Sequence, residues 1–465
     1  MTVLLDRPVA PVANASPKAK ASPKARDPFI DLLRVAGMAL IVFQHWTIPV
    51  LSYDGVRLTT GNALATPGVW VVTWLSQVMP LVFFAGGAAN AISFGRSAQG
   101  APRWLAARLR RLAWPLLPLA AVWIPLPHVL LTFGVPEQPL EVGARLTGQL
   151  LWFLAVYLIA ILATPYALRL HERHGFLVPA ALATGAVVTD VARFSTGFEA
   201  VGFLNVVFVW LAVHQLGFFY AEGRLRRPWA LAAGGFGAAA LLVAFGPYPG
   251  SMIGLPGAEI SNMAPPTLAM LAVGAGQVGL AVLLRPWLMR LLRLRTEQRS
   301  PVRARPFDTE REPGAESGSL RDQRSPVRVR PLDAGRLLEW AGSRIMTVYL
   351  WHMPALFVVT GLVVVLLRID TPAPGSAFWW AGWPLWFGLL CLVMWPLIKV
   401  FARFETPPAL PYGAAGWGGM LAAATLVGGG VLTLTVGGFA PGGGPFLAVL
   451  ALMGGLLMTA PRARA

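Results

Sequence analysis

Cysteine is almost missing from this chain: its 465 residues contain one, Cys391. That excludes a disulfide framework and a cysteine-built zinc site. Charge is scarce too. Only 13% of the residues are Asp, Glu, Lys or Arg, about half the share of an ordinary soluble domain, and they are unevenly spread. Of the 38 Lys+Arg and 21 Asp+Glu, 7 lie in residues 1–27 and 17 in residues 294–336, which leaves 35 for the other 395. So few charges cannot coat a water-facing globule. A soluble enzyme, a disordered scaffold and a secreted disulfide protein are all disfavoured. No carboxylate cluster or histidine spacing suggests a metal; His171 and His174, with Glu172, read as part of a solvated inner loop.

What the chain has instead is apolar length. Hydrophobic residues make up 56%, and they gather in runs long enough to cross a hydrocarbon layer of ~30 Å, which takes ~20 helical residues. Twelve such runs are expected, near 30–50, 68–94, 113–133, 147–168, 176–190, 201–220, 229–246, 265–292, 344–367, 377–402, 414–436 and 444–460. The fold class is therefore all-α, a polytopic transmembrane bundle of about 12 spans. Prolines within the runs do not count against helices, because neighbouring helices satisfy the freed backbone groups.

The net charge of +17 is a topological signal rather than a sign of nucleic-acid binding. With the N-terminus in the cytoplasm, the outer loops near 51–67, 134–146, 191–200, 247–264, 368–376 and 437–443 hold only Arg57, Arg145, Arg193 and Arg368; the other 34 basic residues are on the inner side or at inner helix ends. This asymmetry predicts a cell-membrane protein with both termini cytoplasmic. Residues 1–27, with Ala-Ser-Pro-Lys-Ala at 15–19 and again at 21–25, read as a disordered basic tail, not a signal peptide. The segment 294–335 reads as a disordered Arg/Pro-rich cytoplasmic linker. In it Gln298–Asp308 recurs almost unchanged as Gln323–Asp333. The linker divides a membrane core of helices 1–8 (28–293) from helices 9–10 (336–404), and two further helices fill 405–465.

Ionisable side chains inside a bilayer are costly, so each is a functional candidate. The first span carries Arg34 and His45, eleven residues apart. On a helix that spacing returns to within about 20° of the same direction and separates the two by ~16 Å along the axis. A cation near the inner end and a proton acceptor deeper in could serve one anionic, elongated ligand; snorkelling of Arg34 and a carbonyl partner for His45 are the competing structural account. Arg108 and Arg111 share a helical face before the third span, a spacing that suits phosphates. Tyr349 and His352 lie one turn apart in the ninth span and are candidate substrate contacts, with a structural role as the competing reading. Trp152, in Leu151-Trp-Phe-Leu154, and Asn262, in the polar stretch Ser261–Pro266, are further candidate substrate contacts; packing is the competing reading for Trp152.

Taken in order, Arg34-x10-His45, Arg108-x-x-Arg111, Leu-Trp-Phe-Leu at 151–154 and Tyr349-x-x-His352 resemble the acyltransferase 3 family of integral membrane acyltransferases, over roughly residues 27–404. The resemblance implies a ten-helix core and transfer of an acyl group, often acetyl, from cytoplasmic acyl-CoA to a hydroxyl, usually on a carbohydrate. It implies that His45 is catalytic, together with Arg34, and that Arg34, Arg108 and Arg111 bind the acyl donor. Acyl-CoA is then a co-substrate, and no tightly bound cofactor is expected. The partners are the lipid bilayer, acyl-CoA and the hydroxyl acceptor, with no nucleic acid. Two readings of His45 stay open, general base and covalent acyl carrier. Twelve spans and a long linker also suit a transporter, although here the linker splits the spans eight and four, not six and six.

Overall fold

A computed structural model describes residues 27–97, 100–254, 259–292, 334–408 and 416–459. The basic tail before Asp27, and the linker up to residue 333 with its repeat, lie outside the described residues. The architecture is the expected all-α polytopic bundle: among the described residues, eleven helical stretches have the length and apolarity to cross a bilayer. The twelfth expected span is a shorter apolar helix, Gly443–Met458.

Helix α1 (Pro28–Thr47) starts where its sequence dictates. The Asp27 carboxylate accepts the Phe29 N–H at 2.9 Å, and Pro28 supplies a pre-set φ at the first position. A β-hairpin follows, β1 (Pro49–Tyr53) against β2 (Leu58–Asn62), where an outer loop was expected. Its turn is chemical: the Asp54 carboxylate accepts the N–H groups of Val56 and Arg57, and Gly55 takes φ +104°. The hairpin is anchored to two other parts of the chain. Tyr53 N–H donates to Asp370, Leu51 exchanges bonds with Thr371, and Leu58 pairs with the Gln138 amide.

Helix α2 (Met79–Gly95) leads to α3 (Ala101–Ala113), which continues through Leu116–Trp123 and Pro125–Thr132 with breaks at prolines. The stretch expected as the loop 134–146 is mostly helical: α4 (Glu137–Gln149) buries a small-residue stripe of Gly143, Ala144, Thr147 and Gly148. Helix α5 (Trp152–His174) runs further than expected and carries His171 and His174 on a helix, not in a loop. The run expected near 176–190 is a longer helix, α6 (Leu177–Thr196), closed by Gly197 in the left-handed region. Then come α7 (Asn205–Ala221), α8 (Pro228–Phe245), α9 (Leu268–Leu291), α10 (Ile345–Thr360), α11 (Ala377–Phe401), α12 (Trp417–Gly437) and α13 (Gly443–Met458). Helix α10 ends in a π-helical turn, Gly361–Leu366.

The buried side chains form two large apolar cores. One joins α3, α4, α10 and the C-terminal helices; the other joins α2, α6, α7 and α9. Helices α1 and α5 serve both: Met38 and Trp46 face the first core, whereas Phe29, Ile30, Leu33 and Ile41 face the second. The helix carrying Arg34 and His45 is thus the seam of the molecule. Close approach in the second core depends on glycine. A Cβ on Gly87 would overlap the His214 carbonyl, and one on Gly217 would overlap that of Phe84. Helix α12 docks in the same way: Gly148 leaves room for the Leu434 carbonyl, and Phe439 N–H donates to Ala144 O at 3.0 Å.

Candidate active site

Three of the four basic or histidine positions singled out at the start of the bundle converge as a cluster. Arg34 on α1 lies 3.6 Å from Asp31, one turn earlier, and stays about one-third exposed. Arg108 on α3 lies over the Trp104 ring, 5.4 Å from its centre, within electrostatic reach of Arg34, Arg111 and Tyr157. Two adjacent residues join this level, of which Glu405 has no sequence signal. Arg110 donates to the Pro408 carbonyl. Glu405, just past α11, accepts the Thr347 N–H and O–H at 2.6 and 2.7 Å. Burial pushes the Glu405 carboxyl up, against the opposing pull of those two bonds and of Arg111. A lone carboxylate at a span end gives no sequence signal for this role.

His45 is eleven residues further along the same face of α1, ~16 Å from the arginine level. It meets His352 of α10: His45 Nδ1 and His352 Nε2 are 2.8 Å apart, and the rings lie nearly parallel, 6° between planes. His352 is fully buried, while His45 is half-buried. The pair is framed by tryptophans. Trp46 Nε1 donates to the His352 carbonyl at 2.9 Å, and Trp386 Nε1 of α11 donates to the Trp46 carbonyl at 2.8 Å. These bonds fasten the end of α1 to α10 and α11. Neither tryptophan stood out in the sequence, since indoles are common in this chain and only their N–H partners reveal the role.

The other candidates sit elsewhere. The Tyr349 hydroxyl donates to the Leu150 carbonyl at 2.6 Å, tying α10 to the start of α5 rather than facing His45. Trp152 packs beside Trp210 in the second core, ring centres 6.2 Å apart. Asn262 is fully buried in the α8–α9 connection. Its amide N–H groups go to the Pro249 and Ser251 carbonyls, and its oxygen accepts the Thr267 hydroxyl. Neither Trp152 nor Asn262 makes a hydrogen bond or ring contact with the histidine pair. A separate apolar cavity of about 960 Å³ runs between the third span, α10 and α11, bounded by Trp123, Trp351, Phe357 and Pro396. Neither histidine lines it. Among the described residues no group of three or more His, Cys, Asp or Glu is placed to hold a metal.

A polytopic helix bundle with a basic cluster at one level and, deeper along α1, a histidine of that helix paired with one of α10 defines a class of membrane enzyme. The chain matches the acyltransferase 3 domain family over residues 27–403 and belongs to it. It is a multi-pass membrane acyltransferase, with α12 and α13 lying beyond the matched region. No match was found among curated proteins or among solved structures.

Proposed function

We propose that the protein transfers an acyl group, acetyl or another short chain, from cytoplasmic acyl-CoA to a hydroxyl of a carbohydrate or other envelope or secreted acceptor. The observation that carries this reading is the alignment on α1: Arg34, joined by Arg108 and Arg111, at one level, and His45 ~16 Å deeper on the same face. Acyl-CoA has the matching form, a polyanionic nucleotide and a long thin arm. Guanidinium groups hold the phosphates, and the arm reaches the histidines with its thioester.

In the transfer step the acceptor hydroxyl gives its proton to His45 as its oxygen attacks the thioester carbon. The new C–O bond forms, the C–S bond breaks, and His45 returns the proton to the departing CoA sulfur. His45 ends the cycle neutral, as it began. The distribution of basic residues supports an orientation with both termini in the cytoplasm, since 34 of the 38 Lys and Arg then avoid the outer loops.

The test uses purified, reconstituted full-length protein with radiolabelled acetyl-CoA and an envelope extract from cells lacking the gene. Label covalently attached to a glycan or other hydroxyl compound is expected. Failure to bind acetyl-CoA, or unchanged transfer in His45→Ala, overturns the reading. Orientation is tested with Asn62→Cys and Ser317→Cys in a background lacking Cys391. A membrane-impermeant thiol reagent on intact cells is expected to label position 62 and not 317.

A further inference from the structure

The contacts of His352 define which nitrogen of His45 is free to react. His352 Nδ1 lies 2.7 Å from the Tyr349 carbonyl and 3.1 Å from that of Val348. Carbonyl oxygens only accept hydrogen bonds, so this nitrogen carries a proton. With His352 fully buried and its contacts being carbonyls and another imidazole, with no carboxylate, the neutral ring is the favoured state. Its Nε2 is then a lone pair. The 2.8 Å approach of His45 Nδ1 to that lone pair requires a hydrogen on His45 Nδ1. In neutral His45 the remaining nitrogen, Nε2, is therefore the bare one, and it has no hydrogen-bond partner among the described residues.

We infer that His352 is a positioning residue: it holds His45 in the Nδ1–H tautomer, with Nε2 as the atom that receives the acceptor's proton. The inference rests on the function proposed above. The chain of donors runs from His45 Nδ1–H to His352 Nε2, and from His352 Nδ1–H to the Tyr349 carbonyl. It replaces the carboxylate that orients histidine in hydrolase triads with a neutral imidazole and a helix carbonyl. When His45 Nε2 takes the proton, its Nδ1–H keeps the same partner, and the developing charge is met by the His352 lone pair. His352 is not the base itself, because both of its nitrogens are occupied and its side chain is fully buried. The near-parallel rings and the Trp46 bond to the His352 carbonyl fix the geometry from the backbone side.

The inference separates two substitutions. In His352→Gln the amide oxygen can still accept from His45 Nδ1; in His352→Leu nothing can. Turnover of labelled acetyl-CoA with the envelope extract is expected to fall about 100-fold or more in His352→Leu and to recover to within roughly 10-fold of wild type in His352→Gln. The KM for acetyl-CoA should not move in either, since the arginine level is untouched. Independently of activity, 15N-histidine solid-state NMR of the wild-type protein should show His45 protonated at Nδ1 and bare at Nε2. His45→Gln assigns the resonance among six histidines. The opposite tautomer in the wild type, or wild-type turnover in His352→Leu, overturns the inference. If His45→Ala itself retains turnover, it is the acyl-transfer reading that falls.

Discussion

His171 and His45 are both histidines on long apolar helices, and both meet polar partners on a neighbouring helix or its end. They are built to opposite ends. At His171 both ring nitrogens are filled: Gln215 donates to Nδ1 at 3.1 Å, and Nε2 faces the Glu222 carboxylate at 3.0 Å. Phe219 closes over the ring at 4.4 Å, and the side chain is fully buried. At His45 only Nδ1 is filled, and the ring is half-buried. The first is a strut between α5 and α7. The second is a ring held through one nitrogen by His352. Burial of a histidine within a bundle therefore says little about chemistry, and the partners of its two ring nitrogens say more.

The sharpest way to break this contrast is to remove both rings and compare the losses. His45→Ala should reduce single-turnover transfer by about 10²- to 10⁴-fold, the range for a lost general base, with acetyl-CoA binding and thermal stability near wild type. The measurement is donor binding and rapid-quench transfer on monodisperse protein. An active His45→Ala protein would reduce His45 to a strut like His171.

Next in size is Arg34→Ala, which tests the other end of α1. Loss of one charge-assisted contact to phosphate should weaken acetyl-CoA binding by about 1–3 kcal/mol, and saturating donor should restore most of the rate. A lowered maximal rate with unchanged affinity would place Arg34 outside the donor site. Its Asp31 partner is partly exposed, so that ion pair is worth little stability on its own, and the variant is expected to fold.

The sequence made these two positions legible because helical spacing is arithmetic: eleven residues return to one face whatever the partners are. The spans were legible for a related reason, since length and apolarity suffice for a bilayer helix. The hairpin at 49–62 was hidden because its cause is one Asp-Gly turn and partners at Gln138, Asp370 and Thr371, far along the chain. Helix α4 was hidden by its polar face, which reads as loop until its small residues meet α12. The same applies within the site. Tyr349-x-x-His352 marked two residues, but only packing shows that the Tyr349 carbonyl faces His352 while its hydroxyl faces Leu150. His171 reads as a loop residue because the apolar run gives way to Arg169, Glu172, Arg173 and His174, whereas the helix continues to His174.

His171→Leu should behave as the reverse of His45→Ala. It leaves the Gln215 amide buried without a partner, a loss of about 1–3 kcal/mol, read as a lower midpoint of thermal unfolding. Protein that remains folded should transfer acetyl at close to the wild-type rate. A selective loss of turnover with unchanged stability would move His171 into the catalytic machinery.

The smallest expected effect is the pH dependence of that strut. At Glu222 burial alone would raise the carboxyl, but the hydrogen bonds from His171 and Arg224 outweigh it, and the group is held below the ordinary carboxylate value. A carboxyl depressed in the folded state contributes stability that is present above its unfolded value and lost as pH falls through the folded one. Glu222→Gln removes that contribution. Wild type should therefore unfold at a higher temperature than Glu222→Gln at neutral pH, and the two curves should converge as the pH drops into the carboxylate range. The side chain is 39% exposed, so solvent screens the interaction and the gap is small. High salt should narrow it further at neutral pH, because part of it is the exposed Arg224 pair. Transfer rates measured on the same samples should be equal. A Glu222→Gln protein with wild-type stability at every pH would show that His171 is held by Gln215 and packing alone, and the carboxylate would then have no part in the strut.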